Sequence, residues 1–267
     1  MSAVLTPSQR ASRNGGAAAM ILAAGRGERM RPLTDSCPKP LLQVHGRALI
    51  DWHVKALALG GFTKLVINTA WLDDSVVAHF SSVLALQPID YAGIPLSISY
   101  SHEARDFGAA LETGGGIARA LPLLGNIFWV LAGDVYAPGF EFLQHAVQRF
   151  AASGKLAHLW LVPNPAHNPH GDFGLSNDGL ALNLVSDSQA QRLTYSSIGL
   201  FHRAFFDRLA FGNPAGVKAP LAPMLRRAMD NQQVSAELYA GPWTDVGTPQ
   251  RLTELNATPF TEAKTRL

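Results

Sequence analysis

The chain has 267 residues, 47% hydrophobic and 16% charged, enough apolar material for one large core or two small ones and too much for a disordered chain. Twenty-two Lys and Arg stand against 20 Asp and Glu, a net charge of +2 with no long basic run, so charge gives no nucleic-acid partner. The single cysteine, Cys37, excludes an intramolecular disulfide and suits a reducing cytoplasm, and no apolar stretch approaches the roughly 20 residues that cross a bilayer.

Residues 1–16 are small and polar, carry Arg10 and Arg13, and lack the apolar segment of a secretory signal; they read as a disordered tail. Order is expected to begin at Ala17, where a continuous apolar run to Ala24 reads as a buried parallel strand stopping at a glycine-containing loop. Helical spacing over 48–59 ends at Gly60-Gly61. A short strand at 64–68 follows, then a helix to about Leu86 capped by Asp73 or Asp74. The rhythm repeats with a strand at 96–100, a helix over 113–121 and a strongly apolar strand at 127–132. A helix over 140–152 and a strand at 156–162 come next. Strands alternating with helices predict an α/β fold, a mostly parallel central sheet with helices on both faces.

After Pro163 the pattern changes. Residues 164–171 are rich in turn formers, and Asn177-Asp178-Gly179 between short segments predicts a hairpin. Residues 195–202 are strand-like, 221–229 helical, and a loop and a helix over 243–255 close the folded part. This stretch reads as a small antiparallel insertion within one domain spanning 17–257, followed by a tail at 258–267.

Chemistry concentrates first after the opening strand, in Leu22-Ala-Ala24-Gly25-Arg26-Gly27-Glu28-Arg29-Met-Arg31-Pro-Leu-Thr34 and Pro38-Lys39-Pro40-Leu41. Glycines let backbone N–H groups approach an anion, arginines add forked charge, and strand ends are where parallel sheets bind ligands. The Gly-Lys-Ser/Thr ending of a Walker loop is missing, as is a dinucleotide fingerprint. Gly133-Asp134 puts a carboxylate at the end of another buried strand, and Trp243-Thr-Asp245-Val-Gly247-Thr248 puts one in a tight turn. Two carboxylates with phosphate oxygens suit Mg²⁺, although Asp134 as a helix N-cap and Asp245 as a turn residue are the alternatives. His167 and His170 lie in a loop without further metal-ligand partners and read as ordinary loop histidines. Cys37, near Lys39, is a candidate for a lowered pKa, and Trp129 and Trp160 read as core residues.

These motifs resemble the signature of the sugar-1-phosphate nucleotidylyltransferases, whose fold is Rossmann-like and of the GT-A type. The resemblance implies that Leu22, Ala24, Gly25 and Gly27 shape the nucleotide site, that Arg29 grips the departing phosphates, and that Lys39 contacts the phosphate under attack. It implies Asp134 and Asp245 as Mg²⁺ ligands, Asp134 being catalytic and Asp245 also near the sugar phosphate. Glu28 stands where many relatives have threonine. Leu111-Glu112-Thr113-Gly114-Gly115-Gly116-Ile117 is similar to the form found in N-acetylmuramic acid α-1-phosphate uridylyltransferases, with Thr113 and Gly114 toward the nucleotide. Glycines there would admit a flat base ring. Asn68-Thr-Ala-Trp71-Leu, Gly171-Asp172-Phe173 and Leu221-Ala-Pro-Met-Leu-Arg226 agree with this form, and Asp172 is the expected sugar contact. Residues 101–110 form a longer segment before Leu111 than relatives have, and the sugar-phosphate segment Glu-Lys-Pro is replaced by Asn183-Leu-Val-Ser-Asp-Ser. Arg192 and Lys218 are candidates for a lactyl carboxylate but read first as surface cations.

The implied reaction is attack of a sugar 1-phosphate on UTP in the cytoplasm, with no nucleic acid or membrane involved and oligomeric state left open. The alternatives are a mannose- or glucose-1-phosphate nucleotidylyltransferase using GTP or UTP, or a catalytically silent nucleotide-sugar-binding subunit.

Overall fold

The computed structural model describes residues 17–86, 94–184 and 191–259. The expected tail at 1–16, residues 260–267 of the expected C-terminal tail, and residues 185–188 of the Asn183 segment lie outside these. Strand β1 (Ala18–Leu22) leads through 3-10 turns at Glu28–Met30, Leu33–Asp35 and Lys39–Leu41 to a short hairpin of β2 (Gln43–Val44) and β3 (Arg47–Ala48). Then come α1 (Leu49–Leu59), β4 (Lys64–Thr69), α2 (Asp73–Leu86), β5 (Ser97–His102), α3 (Glu103–Phe107), α4 (Glu112–Ala120), β6 (Ile127–Ala132) and β7 (Val135–Tyr136). The remainder is α5 (Gln144–Ser153), β8 (Ala157–Val162), β9 (Phe173–Leu175), β10 (Ala181–Leu182), β11 (Arg192–His202), α6 (Leu221–Asp230), β12 (Val234–Leu238), β13 (Thr244–Asp245) and α7 (Pro249–Ala257).

The sequence expectation of an α/β fold with a central parallel sheet holds. Strands β6, β1, β4 and β5 run parallel in that order, with Leu22 beside Ala132 on one side and Asn68 on the other. Their carboxyl ends therefore meet at one edge. Period-two alternation splits the sheet's side chains between its faces. Ala19, Ile21, Leu65, Ile67, Trp129 and Leu131 pack with α1 and α2, whereas Met20, Val66, Phe128 and Val130 pack with α4 and α6. Each fully buried large apolar side chain contributes about 1.5–3 kcal/mol, and Trp129 sits at the centre with its ring 4.8 Å from that of Trp160. Both tryptophans are core residues, as expected.

The antiparallel part extends the same sheet. Strand β11 pairs antiparallel with β6, β8 and β9, β10 closes the predicted hairpin onto β9 at Gly179, and β12 runs parallel to β8. A bulge interrupts the β11–β8 register between Tyr195 and Gly199, and Ser197 within it has φ +62°. Bulges of this kind re-aim side chains next to sites.

One helix starts later than its spacing predicts. Residues 140–143 are not helical, with Phe140 and Phe142 buried on alternate positions against Trp129, and α5 begins only at Gln144. Period-two burial of two aromatics outweighs helical spacing there. The short strands β2, β3, β7, β12 and β13 and the single-turn α3 were not expected from the sequence.

Candidate active site

The loop after β1 is held from below and from the side. Asn68, at the end of β4, accepts a hydrogen bond from the Ala23 amide on Oδ1 at 2.8 Å. Gly27 takes φ +67°, a left-handed conformation that favours glycine, and its carbonyl accepts from Thr34 Oγ1 at 2.9 Å. The Arg26 guanidinium lies 4.6 Å from the Trp71 ring centroid, and Trp71 Nε1 donates to Thr34 O at 2.9 Å. Arg29 is exposed on the 3-10 turn and makes no ion pair among the described residues. Lys39 is different: it is 8% exposed, and its Nζ meets Asp134 Oδ2 at 2.5 Å across the sheet edge.

Asp134 is not a helix cap; it sits in the turn between β6 and β7. The two-residue ladder of β7 with β13 sets Asp245 opposite Val135, and the Val246 amide donates to Asp134 O at 2.9 Å. The two aspartates thus share one edge. Asp245 Oδ1 is met by His167 Nε2 at 2.6 Å and Arg251 NH1 at 2.5 Å. Lys39 occupies one oxygen of Asp134, while His167 and Arg251 occupy one of Asp245, so each carboxylate keeps a second oxygen. That donor set, hard anionic oxygens steadied by cations, fits a divalent ion such as Mg²⁺. Beneath it, the buried His53 donates from Nε2 to Val135 O at 2.7 Å, and burial pushes its pKa down to about 4.

Two cavities open at this edge. The first, of about 380 Å³, is lined by Leu22, Ala23, Ala24, Gly25, Lys39, Pro40, Asn68, Glu103, Ala110, Glu112, Thr113, Ala132 and Asp134. The second, of about 390 Å³, shares Leu22, Glu112, Thr113 and Ala132 with it and adds Asp172, Phe173, Tyr195, Ser197 and Arg226, among others. Most of the sequence-derived residues therefore gather on one continuous surface. Gly27, Arg29, Gly114 and Asp245 do not line either cavity; Arg29 is on the exposed turn after β1 and Asp245 on the β13 ladder.

The triple glycine of α4 needs a different explanation from a base ring. A Cβ on Gly114 would lie 2.8 Å from Ala219 O, one on Gly115 2.5 Å from Val217 O, and one on Gly116 2.3 Å from Glu103 Oε1. The space is filled by the chain before α6 and by Glu103, and Gly115 N donates to Ala219 O at 3.0 Å. Glu103, 1% exposed, takes Asn68 Nδ2 on Oε1 at 2.6 Å and the Leu111 amide on Oε2 at 2.7 Å. Burial raises its pKa, and these two hydrogen bonds oppose the rise. Asn68 and Glu103 were not singled out from sequence as site residues. A polar residue ending a buried strand was the available signal for Asn68. Glu112 has φ +61° where the two cavities meet, a conformation non-glycine residues rarely hold.

Asp172 lines the second cavity, with Oδ1 taking Asn168 Nδ2 at 3.2 Å and Oδ2 the Tyr195 amide at 2.8 Å. His167 and Asn168 are consecutive, so one loop steadies both Asp245 and Asp172, and His167 is no ordinary loop histidine. Neither Arg192, which donates to Leu184 O at 2.9 Å, nor Lys218 lines this cavity. Burial raises the Cys37 pKa, against the lowering expected from nearby Lys39.

A family profile described as nucleotidyl transferase matches residues 18–262. The chain is 44% identical over 245 residues to an N-acetylmuramate alpha-1-phosphate uridylyltransferase of Neisseria meningitidis serogroup B, covering 90% of this chain and 96% of the relative. A protein of the same description from Caulobacter vibrioides is 31% identical, covering 87% and 92%. Among solved structures, a Bacillus anthracis chain assigned as a glucose-1-phosphate thymidylyltransferase, in complex with sucrose, superposes with a TM-score of 0.71 at 21% identity, covering 90% of this chain and 94% of that one. Among the described residues no helix is long and apolar enough to cross a membrane.

Proposed function

The chain belongs to the nucleotidyl transferase family, and we propose that it transfers UMP from UTP to N-acetylmuramic acid α-1-phosphate, giving the UDP-sugar and pyrophosphate. The observation that carries this reading is the pair of cavities joined along Leu22, Glu112, Thr113 and Ala132, with Lys39 and Asp134 on the wall of the first. One lobe suits a nucleotide and the other a sugar, so the phosphates of both would meet beside the lysine. The two uridylyltransferase relatives support the base and the sugar.

In this mechanism an oxygen of the sugar 1-phosphate attacks the α-phosphorus of UTP. A new P–O bond forms as the bond to the β-phosphate oxygen breaks, and pyrophosphate leaves with the electron pair. The nucleophile is already an anion, so no side chain has to remove a proton. Catalysis is then positioning and charge neutralisation. Lys39, in a nearly dry position, would face the phosphate under attack, and Arg29, on the exposed turn, would meet the departing phosphates. Asp134 and Asp245 would hold Mg²⁺, which when bound neutralises charge on the phosphate oxygens. We place the reaction in the cytoplasm, where UTP is made, as a step of peptidoglycan recycling carried by one domain spanning 17–257.

The test is pyrophosphate release with Mg²⁺, crossing UTP, GTP, CTP and dTTP with the 1-phosphates of N-acetylmuramic acid, N-acetylglucosamine, glucose and mannose. Turnover led by UTP with the muramic sugar supports the reading. Turnover led by another pair keeps the mechanism and discards this substrate, and nucleotide binding without any turnover favours a silent binding subunit.

A further inference from the structure

Among the described residues the second lobe has one cationic side chain on its wall, Arg226 of α6. It is held in place by two contacts. Its guanidinium carbon lies 5.1 Å from the ring centroid of Phe173, itself 2% exposed, and its NH1 donates to Asn183 Oδ1 at 2.9 Å. Neither contact is an acid. Arg31, Arg105, Arg119 and Arg251 each pair with an aspartate, whereas Arg226 makes no ion pair among the described residues. The carboxylate on the same wall, Asp172, has both oxygens occupied by Asn168 and the Tyr195 amide. Among the described residues the guanidinium thus keeps Nε and NH2 donors without an acceptor, its plane set by an aromatic ring and an amide. Such a fork matches a planar anion, and a carboxylate fills it with two parallel hydrogen bonds.

We infer that Arg226 binds a carboxylate carried by the sugar, so that this lobe selects an acidic sugar 1-phosphate over a neutral one. The inference rests on the reading that this lobe takes the sugar. The sugar's own phosphate is the competing anion, but it has to lie beside Lys39 to react, and Arg226 is not on the wall of that first cavity. Arg192 and Lys218, the cations the sequence offered for this carboxylate, are not on the wall of the second.

The test compares N-acetylmuramic acid α-1-phosphate with its methyl ester, which keeps the shape and loses the charge, each with saturating UTP. Wild type is expected to prefer the acid in kcat/KM by roughly 10- to 100-fold, the range of a hydrogen bond between charged groups. In Arg226→Gln that ratio collapses toward one, mainly through KM for the acid, and Arg226→Lys restores part of it. A ratio unchanged in Arg226→Gln overturns the inference, whether or not both rates fall together, since an equal fall marks a contact to the phosphate or to the fold. Wild type without preference for the acid overturns the substrate reading and this inference together, so the two failures are told apart by which protein shows them. The ester comparison on wild type reads the charge even where a variant folds poorly.

Discussion

The two lobes are walled by different materials. Around the first lobe the chain itself comes close: Leu22, Ala23, Ala24 and Gly25 run along the rim, and Ala132 continues it from β6. Behind them Glu103 and Asn68 tie the start of α4 to the ends of β1 and β4. Around the second lobe side chains reach in from separate elements, Asp172 and Phe173 from the edge of β9, Tyr195 and Ser197 from the β11 bulge, and Arg226 from α6. A wall of small residues around Lys39 and Asp134 suits features that every nucleoside triphosphate shares. A wall made of side chains can be changed one residue at a time without moving the sheet, which is where substrate choice belongs. Substitutions in the first lobe should therefore damage rate or fold, and those in the second should damage the choice of sugar.

The largest effect is expected at Asp134. Asp134→Ala removes a carboxylate at the reacting phosphates, and loss of one such electrostatic contact costs about 2.7–4 kcal/mol, roughly 10²–10³ in kcat. The side chain is 36% exposed, so circular dichroism should show a folded protein, although Lys39 loses its partner. A folded Asp134→Ala enzyme with the wild-type Mg²⁺-dependent rate would remove Asp134 from the site.

Next comes a pH dependence in the same lobe. His53 holds Val135, the residue after Asp134, and stays neutral because burial pushes its pKa to about 4 from 6.5. As pH falls below 6.5 the unfolded chain takes up this proton first, so His53 costs stability progressively down to about pH 4. The full change is roughly 3 kcal/mol. Urea unfolding at pH 7 and pH 4.5 should show a smaller drop for His53→Gln than for wild type. Equal drops in the two proteins would mean that the acid sensitivity lies elsewhere.

How much of this was legible follows the same division. The first lobe could be read because its signals are local: a buried strand, glycines and arginines in one loop, an aspartate two residues past another strand's end. Its supports were harder, since Glu103 meets Leu111 eight positions on across a single-turn helix and a loop, too short for periodicity to signal, and the triple glycine looks the same whether a ligand or a neighbouring stretch of chain fills the gap. In the second lobe Asp172 was singled out through its Gly-Asp-Phe motif, and it lines the cavity. Arg226 was passed over because a helix carrying Leu221, Leu225, Ala228 and Met229 inward does not say what its flank faces. The β7–β13 ladder that sets Asp245 near Asp134 is two residues long, below what alternation can signal.

A smaller effect separates fold from ligand in the first lobe. Gly116→Ala would put a Cβ 2.3 Å from Glu103 Oε1 and 3.1 Å from Asn68 Nδ2. Glu103 cannot step aside, because both its oxygens are bonded and it is 1% exposed. Overpacking of this kind costs about 1–3 kcal/mol. The melting temperature should fall, and KM for UTP should rise as the start of α4 shifts. An unchanged melting temperature with weakened UTP binding would instead return the glycines to the role of clearing space for the base.

The smallest effect is the one that best divides the lobes. Asn168 donates from Nδ2 to both Asp172 Oδ1 and Thr194 Oγ1, while its neighbour His167 meets Asp245. Asn168→Ala leaves the His167 contact in place and frees one oxygen of Asp172, which the Tyr195 amide still holds by the other. The lost bond is a long one, 3.2 Å, to a half-buried carboxylate where water can replace the donor, so its cost is set at the general figure of about 0.5–1.5 kcal/mol, below that of a well-formed bond to a charged group, a factor of roughly 2 to 12. That cost should appear as a higher KM for the sugar 1-phosphate, with kcat and KM for UTP near wild type. A fall in kcat of the same size would show that the 167–168 loop couples the sugar lobe to the aspartate edge, so that the two walls, built of different materials, move as one.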